Sequence, residues 1–238
     1  MTMLHLLQLS GTPIFEQLQI EEALLRIDRR NWCIINKGSP PAIVMGISGK
    51  SEELIDKNRL REAPIPLIRR FSGGGTVVVD EDTYFITFIC NSSFVPIPPF
   101  PEPIMRWTES IYKPVFFSLP FRLLENDYVM GHQKCGGNAQ SICKNRWLHH
   151  SSLLWDYSSS NMGYLKMPSK VPAYRDRRSH VDFLCRIREH WSEKNHFLEK
   201  FLQVLHSRFP VEEVKEEEII DLLDRPHRRA TELVNIFD

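Results

Sequence analysis

Residues 69–75 read Arg-Arg-Phe-Ser-Gly-Gly-Gly and lie between two apolar segments, PLIRR before and TVVVDEDTYFITFIC after. Three consecutive glycines are poor strand residues, because Gly weakens a strand and costs backbone entropy. The run predicts instead a tight turn whose bare backbone N–H groups can all face one anion. Two arginines and the Ser72 hydroxyl adjoin it, and a guanidinium beside successive N–H groups suits a phosphate or carboxylate. A second cluster, Gly131-His132-Gln133-Lys134-Cys135-Gly136-Gly137-Asn138-Ala139-Gln140, sets one lysine inside another glycine-rich turn. A compact ammonium there can hold a phosphate oxygen and polarise an adjacent acyl carbonyl. Together the two turns point to a site for an acyl phosphate.

At 238 residues the chain suffices for one domain with a substantial core and a small appendage. Lys+Arg and Asp+Glu both number 30, a formal net charge of +0, so bulk electrostatics draw it to neither nucleic acid nor an anionic membrane. Five cysteines (Cys33, Cys90, Cys135, Cys143, Cys185) are an odd number without close pairing, which favours free thiols in a reducing compartment. No apolar run approaches the ~20 residues of a membrane helix. The opening MTMLHLLQLSGTP lacks the basic residues of a secretory or transit signal, so a soluble protein is expected.

Thr12 followed by Pro13 predicts an N-cap and the start of an amphipathic helix over 13–29. Short strands are expected at 31–36 and 42–46, a helix at 51–60, a strand at 66–70 entering the glycine turn, and a long buried strand at 83–90. The proline-rich segment 92–103 reads as irregular, with a helix following near 104–113. Residues 126–130, 137–144 and 147–156 read as three antiparallel strands, the last two turning at Lys144-Asn145-Arg146. From 192 the chain becomes helical and charged, and EEVKEEE at 212–218 predicts an acidic helix. The expected fold is α+β, a single catalytic domain over 1–190 with a helical C-terminal extension over 191–238 packed on it.

Three motifs invite other readings. Gly46-Ile47-Ser48-Gly49-Lys50-Ser51 ends in GKS, but a phosphate-binding P-loop needs four residues between its glycines and only two stand here. A strand-to-helix turn with an exposed lysine fits better. Cys135, Cys143, His149 and His150 match no zinc spacing, and adjacent histidines on a strand point to opposite faces. No structural metal is expected, and one histidine should face the site. Cys135 adjoins Lys134 and is a candidate nucleophile, although a small buried side chain explains it more simply. The basic stretches YRDRRSH (174–180) and RPHRR (225–229) read as solvated surface, with docking of an acidic partner as the alternative.

The clusters RRFSGGGTVVVD, ENDYVMGHQKCGGNAQ and WLHHSSLLWD, in this order, resemble the lipoate–protein ligase A family. The resemblance runs from about residue 8 to about residue 185, and KVPAYRDRRSHVDFLC looks closest to eukaryotic, plant-type members. It implies a biotin/lipoyl-ligase catalytic domain with a mixed, largely antiparallel sheet flanked by helices. The implied activity is ATP-dependent: lipoate or octanoate becomes an acyl-adenylate, with Mg²⁺, and the acyl group passes to one lysine of a lipoyl domain. The implied acceptors are apo lipoyl domains of 2-oxoacid dehydrogenase E2 subunits and glycine-cleavage H protein, and the implied compartment is the mitochondrion. By the same resemblance Lys134 is the catalytic lysine, and Arg70, Ser72, Gly73, Gly74, Gly75, Gly137, Ala139 and His149 line the acyl and phosphate site. Asn126 and Asp127 face the nucleotide and magnesium. Val79, Thr83 and Ser151 depart from the family's His, Asn and Gly. The family's C-terminal accessory domain is not seen either, which leads to the expectation that adenylation is the weaker half-reaction. The alternatives are an ATP-independent lipoyl or octanoyl transferase between carrier proteins and a catalytically silent lipoyl-domain binder. No cysteine lies between Cys90 and Cys135, and so none just before the ND strand, where related transferases carry their nucleophile.

Overall fold

The computed structural model describes residues 3–191 and 194–237. Its first strand, β1 (Leu4–Ser10), buries all four of its leucines and was not read from the sequence. Gly11, at φ +67°, turns the chain into helix α1 (Ile14–Ile27). Pro13 occupies the N-cap, and the first free amide is satisfied from a distant loop: Ile14 N–H donates to Ser39 Oγ at 2.9 Å. The expected Thr12 cap is therefore replaced by Ser39.

The expected strands follow as β2 (Asn31–Lys37) and β3 (Ala42–Met45). The single helix expected over 51–60 is split into α2 (Ser51–Leu54) and α3 (Lys57–Glu62), because Ile55 leaves the helix to bridge Leu165. Next come β4 (Leu67–Arg69), β5 (Val77–Val79) and β6 (Thr83–Asn91). Helix α4 (Pro101–Val115) begins inside the proline-rich stretch, since prolines in a first helical turn sacrifice no hydrogen bond. Strands β7 (Phe121–Leu124), β8 (Asp127–Met130), β9 (Gln133–Cys143) and β10 (Arg146–Leu154) form a meander. The remainder comprises α5 (His180–Phe183), α6 (Lys194–Arg208), β11 (Val211–Val214), α7 (Ile220–Leu223) and β12 (Glu232–Leu233).

The strands make two sheets. The larger runs β11-β1-β2-β6-β10-β9-β8-β7 and the smaller β12-β4-β3-β5. Among the described strands, only β1 with its two neighbours, and β3 with β4, pair in parallel. The architecture is thus α+β with a mixed, largely antiparallel sheet. One face of the large sheet packs on α4 and α6 through Phe88, Tyr112, Tyr128, Trp147, Phe197 and Phe201. Truncating the fully buried Phe201 to Ala would cost about 3–5 kcal/mol. The other face meets α1 and α7, and α1 also packs on the small sheet through Ile14, Leu18, Val44 and Val79.

The segment from 191 onward is not uniformly helical. Val211–Val214 is a strand, pairing Val211 with Leu4 in parallel, where an acidic helix was expected. The unread β1 presents an open edge, and satisfying its backbone outweighs the helix preference of glutamate. The chain then crosses α1, where Ala230 and Thr231 N–H groups donate to the buried Glu22 carboxylate, and adds β12 to β4. Among the described residues no helix is long and apolar enough to cross a membrane.

Candidate active site

Strands β8 and β9 pair with one residue too many on β9. Tyr128 stands opposite Gly136 but Val129 stands opposite Lys134, so Cys135 forms a bulge. Without it Lys134 would share the face of Gly136, two residues on, which is the face of α4 and α6. The bulge turns it to the opposite face. There a Cβ added to Gly137 would lie 3.5 Å from Lys134 Nζ. Lys134 is therefore a strand residue, not a member of the glycine-rich turn expected from sequence. The turn itself is Gly131-His132, with Gly131 at φ +60°.

Lys134 Nζ lies 2.8 Å from Asp127 Oδ1. The Tyr174 hydroxyl donates to Asp127 Oδ2 at 2.9 Å, so each carboxylate oxygen has its own partner. Burial, followed by the charge of Asp127, holds the Tyr174 phenol well above its usual pKa, and it stays a donor. Tyr174 belongs to a 3₁₀ turn, Ala173–Arg175, anchored by two N–H bonds from Ala173 and Tyr174 to the Glu125 carboxylate. Sequence placed this residue in a solvated basic stretch. Instead Arg175 is buried with its guanidinium over the Phe183 ring at 4.8 Å, and Arg178 donates to the carbonyls of His132 and Tyr174. Arg175 and Arg178 thus face inward as struts, while Arg177 between them is exposed. Asn126 is exposed at the β7–β8 turn, where its carbonyl accepts from Asn138 Nδ2 at 3.0 Å.

The glycine turn lies above the same face. Its N–H groups are not all bare, as Gly73 N–H donates to Gln140 O at 3.0 Å and so pins the turn to β9. Gly74 is exposed, at φ +110°, and a Cβ there would meet Arg70 Nη2 at 2.7 Å and Asn138 O at 3.0 Å. Gly75 is exposed with nothing within 4 Å of its Cβ position. Arg70, expected to hold the ligand, sits beneath the turn at 4% exposure. It donates to the carbonyls of Gly73 (3.0 Å), Gly75 (2.8 Å) and Val44 (3.3 Å), and burial lowers its pKa to about 10. These bonds make it a brace for the turn. Ser72 is also buried, its carbonyl accepting from Ile47 N–H. The GKS lookalike turns Lys50 outward to Glu53 at 3.0 Å.

The histidine expected in the wall is on the wrong side. His149 pairs with Gln140, shares the face of Trp147 and Leu153, and is fully buried against Tyr128 and Ser151. Burial, with a smaller contribution from His150, lowers its pKa to about 3. His150 pairs with Ala139 and Ser152 with Gly137, so these four residues floor the face between the glycine turn and Lys134. Cys135 is buried among core residues on the far face, where burial raises its thiol well above the ordinary value. All five cysteines are free. Among the described residues, no group of three or more His, Cys, Asp or Glu could hold a metal ion.

The model for the lipoyl protein ligase A/B catalytic domain matches residues 13–210. The chain belongs to that family. A Plasmodium falciparum protein described as an inactive lipoate–protein ligase 2 is 29% identical, the match covering 84% of this chain and 68% of that relative. Two bacterial lipoate–protein ligases are longer, with only 42% and 34% of their lengths covered. Among solved structures, the bi-partite lipoate protein ligase of Thermoplasma acidophilum, described with its E2 lipoyl domain, superposes with a TM-score of 0.75 at 18% identity, covering 94% of this chain and 91% of that one. A lipoate–protein ligase A bound with ATP gives 0.69 at 17% identity, covering 93% and 92%. These likenesses establish the ligase fold.

Proposed function

We propose that the chain transfers a lipoyl or octanoyl group from an ATP-derived acyl-adenylate to one lysine of a lipoyl domain. The observation that carries this reading is Lys134, turned by the Cys135 bulge onto a face covered by the glycine turn and floored by Gly137, Ala139, His150 and Ser152. At Gly74 and Gly137 an added Cβ would fill the space beside Arg70 and Lys134, which leaves room for a phosphate or carbonyl. In the first half-reaction the acyl carboxylate displaces pyrophosphate from ATP. In the second, the acceptor amine attacks the acyl carbonyl, AMP leaves and the amine loses its proton. The Lys134 ammonium would stabilise negative charge on the carbonyl and phosphate oxygens in both.

Asp127 would position Lys134, and Tyr174 would hold Asp127. Mg²⁺ binds by one or two carboxylates together with substrate phosphates, and Asp127 is the candidate ligand. Arg70, Ser72, Gly73 and Gly75 would shape the turn over the ligand. The names of the structural neighbours support ATP and an E2 lipoyl domain as ligand and partner, and the family resemblance adds H protein and a mitochondrial setting. The name of the P. falciparum relative makes catalytic competence the first quantity to measure.

The test is to incubate the protein with lipoate, ATP, Mg²⁺ and an apo lipoyl domain, following pyrophosphate and acylated domain separately. Pyrophosphate release and modification together support the ligase. Modification only from an acylated H protein without ATP would favour the carrier-to-carrier transferase, and binding without either product the silent binder.

A further inference from the structure

Two of the free thiols meet behind Lys134. Leu184 bridges Lys134 in parallel, so the next residues along the two segments, Cys185 and Cys135, lie side by side. Cys185 N–H donates to Lys134 O at 2.9 Å and Gln133 Nε2 donates to Leu184 O at 3.2 Å, which fixes that alignment. Paired segments run about 4.7–4.9 Å apart, inside the roughly 4.4–6.8 Å that separates the Cα atoms of bridged cysteines. Both side chains belong to the same buried cluster, Cys135 at 0% and Cys185 at 2% exposure. Their sulfurs are close enough to hydrogen-bond to one another.

The two thiols are unequal. Cys135 is the bulged residue of β9, held inside the sheet, and burial raises its thiol well above the ordinary value. The hydrogen bond from Cys135 outweighs burial at Cys185 and lowers that thiol, which makes Cys185 the better nucleophile. Cys185 follows the four-residue helix α5 on a segment without helix or strand, close to the exposed Val181 and Asp182. Segments tied by few hydrogen bonds open locally at low cost, and opening here uncovers Cys185 without unfolding the sheet. Cys33 and Cys90 offer a contrast. Cys33 stands opposite Phe88 in the regular β2–β6 ladder, two residues out of step with Cys90, and both are at 0% exposure.

We propose that Cys185 and Cys135 form a redox-modification site that a hydroperoxide converts to a disulfide, and that the disulfide draws Lys134 out of position. The Cys185 thiolate attacks the peroxide O–O bond, forming the sulfenic acid Cys185–S–OH and releasing hydroxide or alkoxide. The Cys135 thiol then attacks that sulfur. The S–S bond forms, the S–O bond breaks, and the hydroxyl leaves with the thiol proton as water. Two electrons pass from the thiols to the peroxide. Closure brings the sulfurs from non-bonded contact to about 2.05 Å. The movement falls on the residue after Lys134 or on the one whose N–H holds the Lys134 carbonyl, so Lys134 shifts in either case. A shift of about 1 Å in a positioned group can cost on the order of a hundredfold in rate. The effect on activity rests on the reading of Lys134 as the lysine that serves acyl transfer. The disulfide does not.

The test treats the full chain carrying Cys143→Ser, which removes the exposed thiol, with hydrogen peroxide, then alkylates and maps its peptides without reductant. A Cys135–Cys185 linkage is expected, with Cys33 and Cys90 recovered as reduced thiols. Acyl transfer should fall by at least about tenfold and return with dithiothreitol. Cys185→Ser and, separately, Cys185→Ala should keep the transfer rate of the reduced parent and lose its sensitivity to peroxide. Having both guards against one that does not fold. A different linkage, sulfinic acid at Cys185 without a disulfide, or equal inhibition of the variants overturns the proposal. Linkage with unchanged transfer overturns the effect on Lys134. Absence of turnover in the reduced protein would instead fail the ligase reading, and the peptide map then decides the dithiol alone.

Discussion

Lys134 Nζ and Asp127 Oδ1 are 2.8 Å apart, and the second oxygen of the same carboxylate holds the Tyr174 hydroxyl. The ammonium is therefore paired in the free protein. An incoming phosphate or acyl oxygen must compete with a carboxylate that Tyr174 restrains from following. Lys134→Ala should reduce acyl transfer by on the order of a hundredfold or more, the usual effect of losing one positioned charge. Its side chain contributes little to the core, so circular dichroism and the melting transition should stay close to wild type. Near-normal transfer by the folded variant would remove Lys134 from the mechanism.

Gly74 and Gly75 allow a controlled comparison. Gly74 combines φ +110° with a Cβ position 2.7 Å from Arg70 Nη2, whereas Gly75 has open space around it. Gly74→Val should displace the Arg70 brace, at a strain of roughly 1–3 kcal/mol, and abolish acyl-adenylate binding in calorimetry. Gly75→Ala should leave the melting temperature nearly unchanged. Equal binding by wild type and Gly74→Val would show that the turn only connects two strands.

Cys135 is expected to be dispensable for chemistry. Its Sγ donates to Tyr128 O at 3.4 Å on the face opposite Lys134, and burial keeps the thiol protonated. Cys135→Ser should retain transfer, with a loss of roughly 1 kcal/mol in stability for a hydroxyl in a small apolar site. Mass spectrometry decides between this and covalent catalysis: an acyl-thioester trapped on wild-type Cys135, with an inactive serine variant, would reverse the conclusion.

The family, the α+β class, most strands and both glycine clusters were legible because they are local patterns. What was lost depends on register. A turn at Lys144-Asn145-Arg146 was expected, but the hairpin turns on Lys144-Asn145 alone and pairs Ala139 with His150. His149 was assigned to the wall by the family resemblance, whereas neighbouring strand residues alternate faces and the pairing of His150 with Ala139 puts His150 there. The bulge at Cys135 had no such signal, since nothing in QKCGGN separates it from a regular strand. Tyr174 was hidden by Arg175 and Arg178, which read as surface but fold inward over Phe183 and His132. Strand β11 was missed because its composition favours a helix and only the parallel edge of β1 makes it a strand.

The placement of His149 makes a pH prediction with a definite sign. Gln140 Nε2 lies 2.9 Å from its Nδ1, which leaves Nε2 to carry the hydrogen toward Ser151 Oγ at 3.2 Å, and burial lowers its pKa to about 3. An unfolded histidine titrates near 6.5. Between those values the unfolded chain binds a proton that the folded chain refuses. The stability contributed by neutral His149 is therefore complete above pH 6.5 and is lost as pH falls toward 3. The slope approaches about 1.4 kcal/mol per pH unit. Urea unfolding at pH 7.5 and 5.0 should show wild type losing about 2 kcal/mol more than His149→Gln, which has no proton to gain. At pH 7.5 the glutamine variant should still transfer acyl groups, because its side chain lies across the sheet from Lys134. Parallel acid limbs in the two proteins would mean that His149 titrates as an exposed histidine does, and an inactive but stable variant would return it to the site.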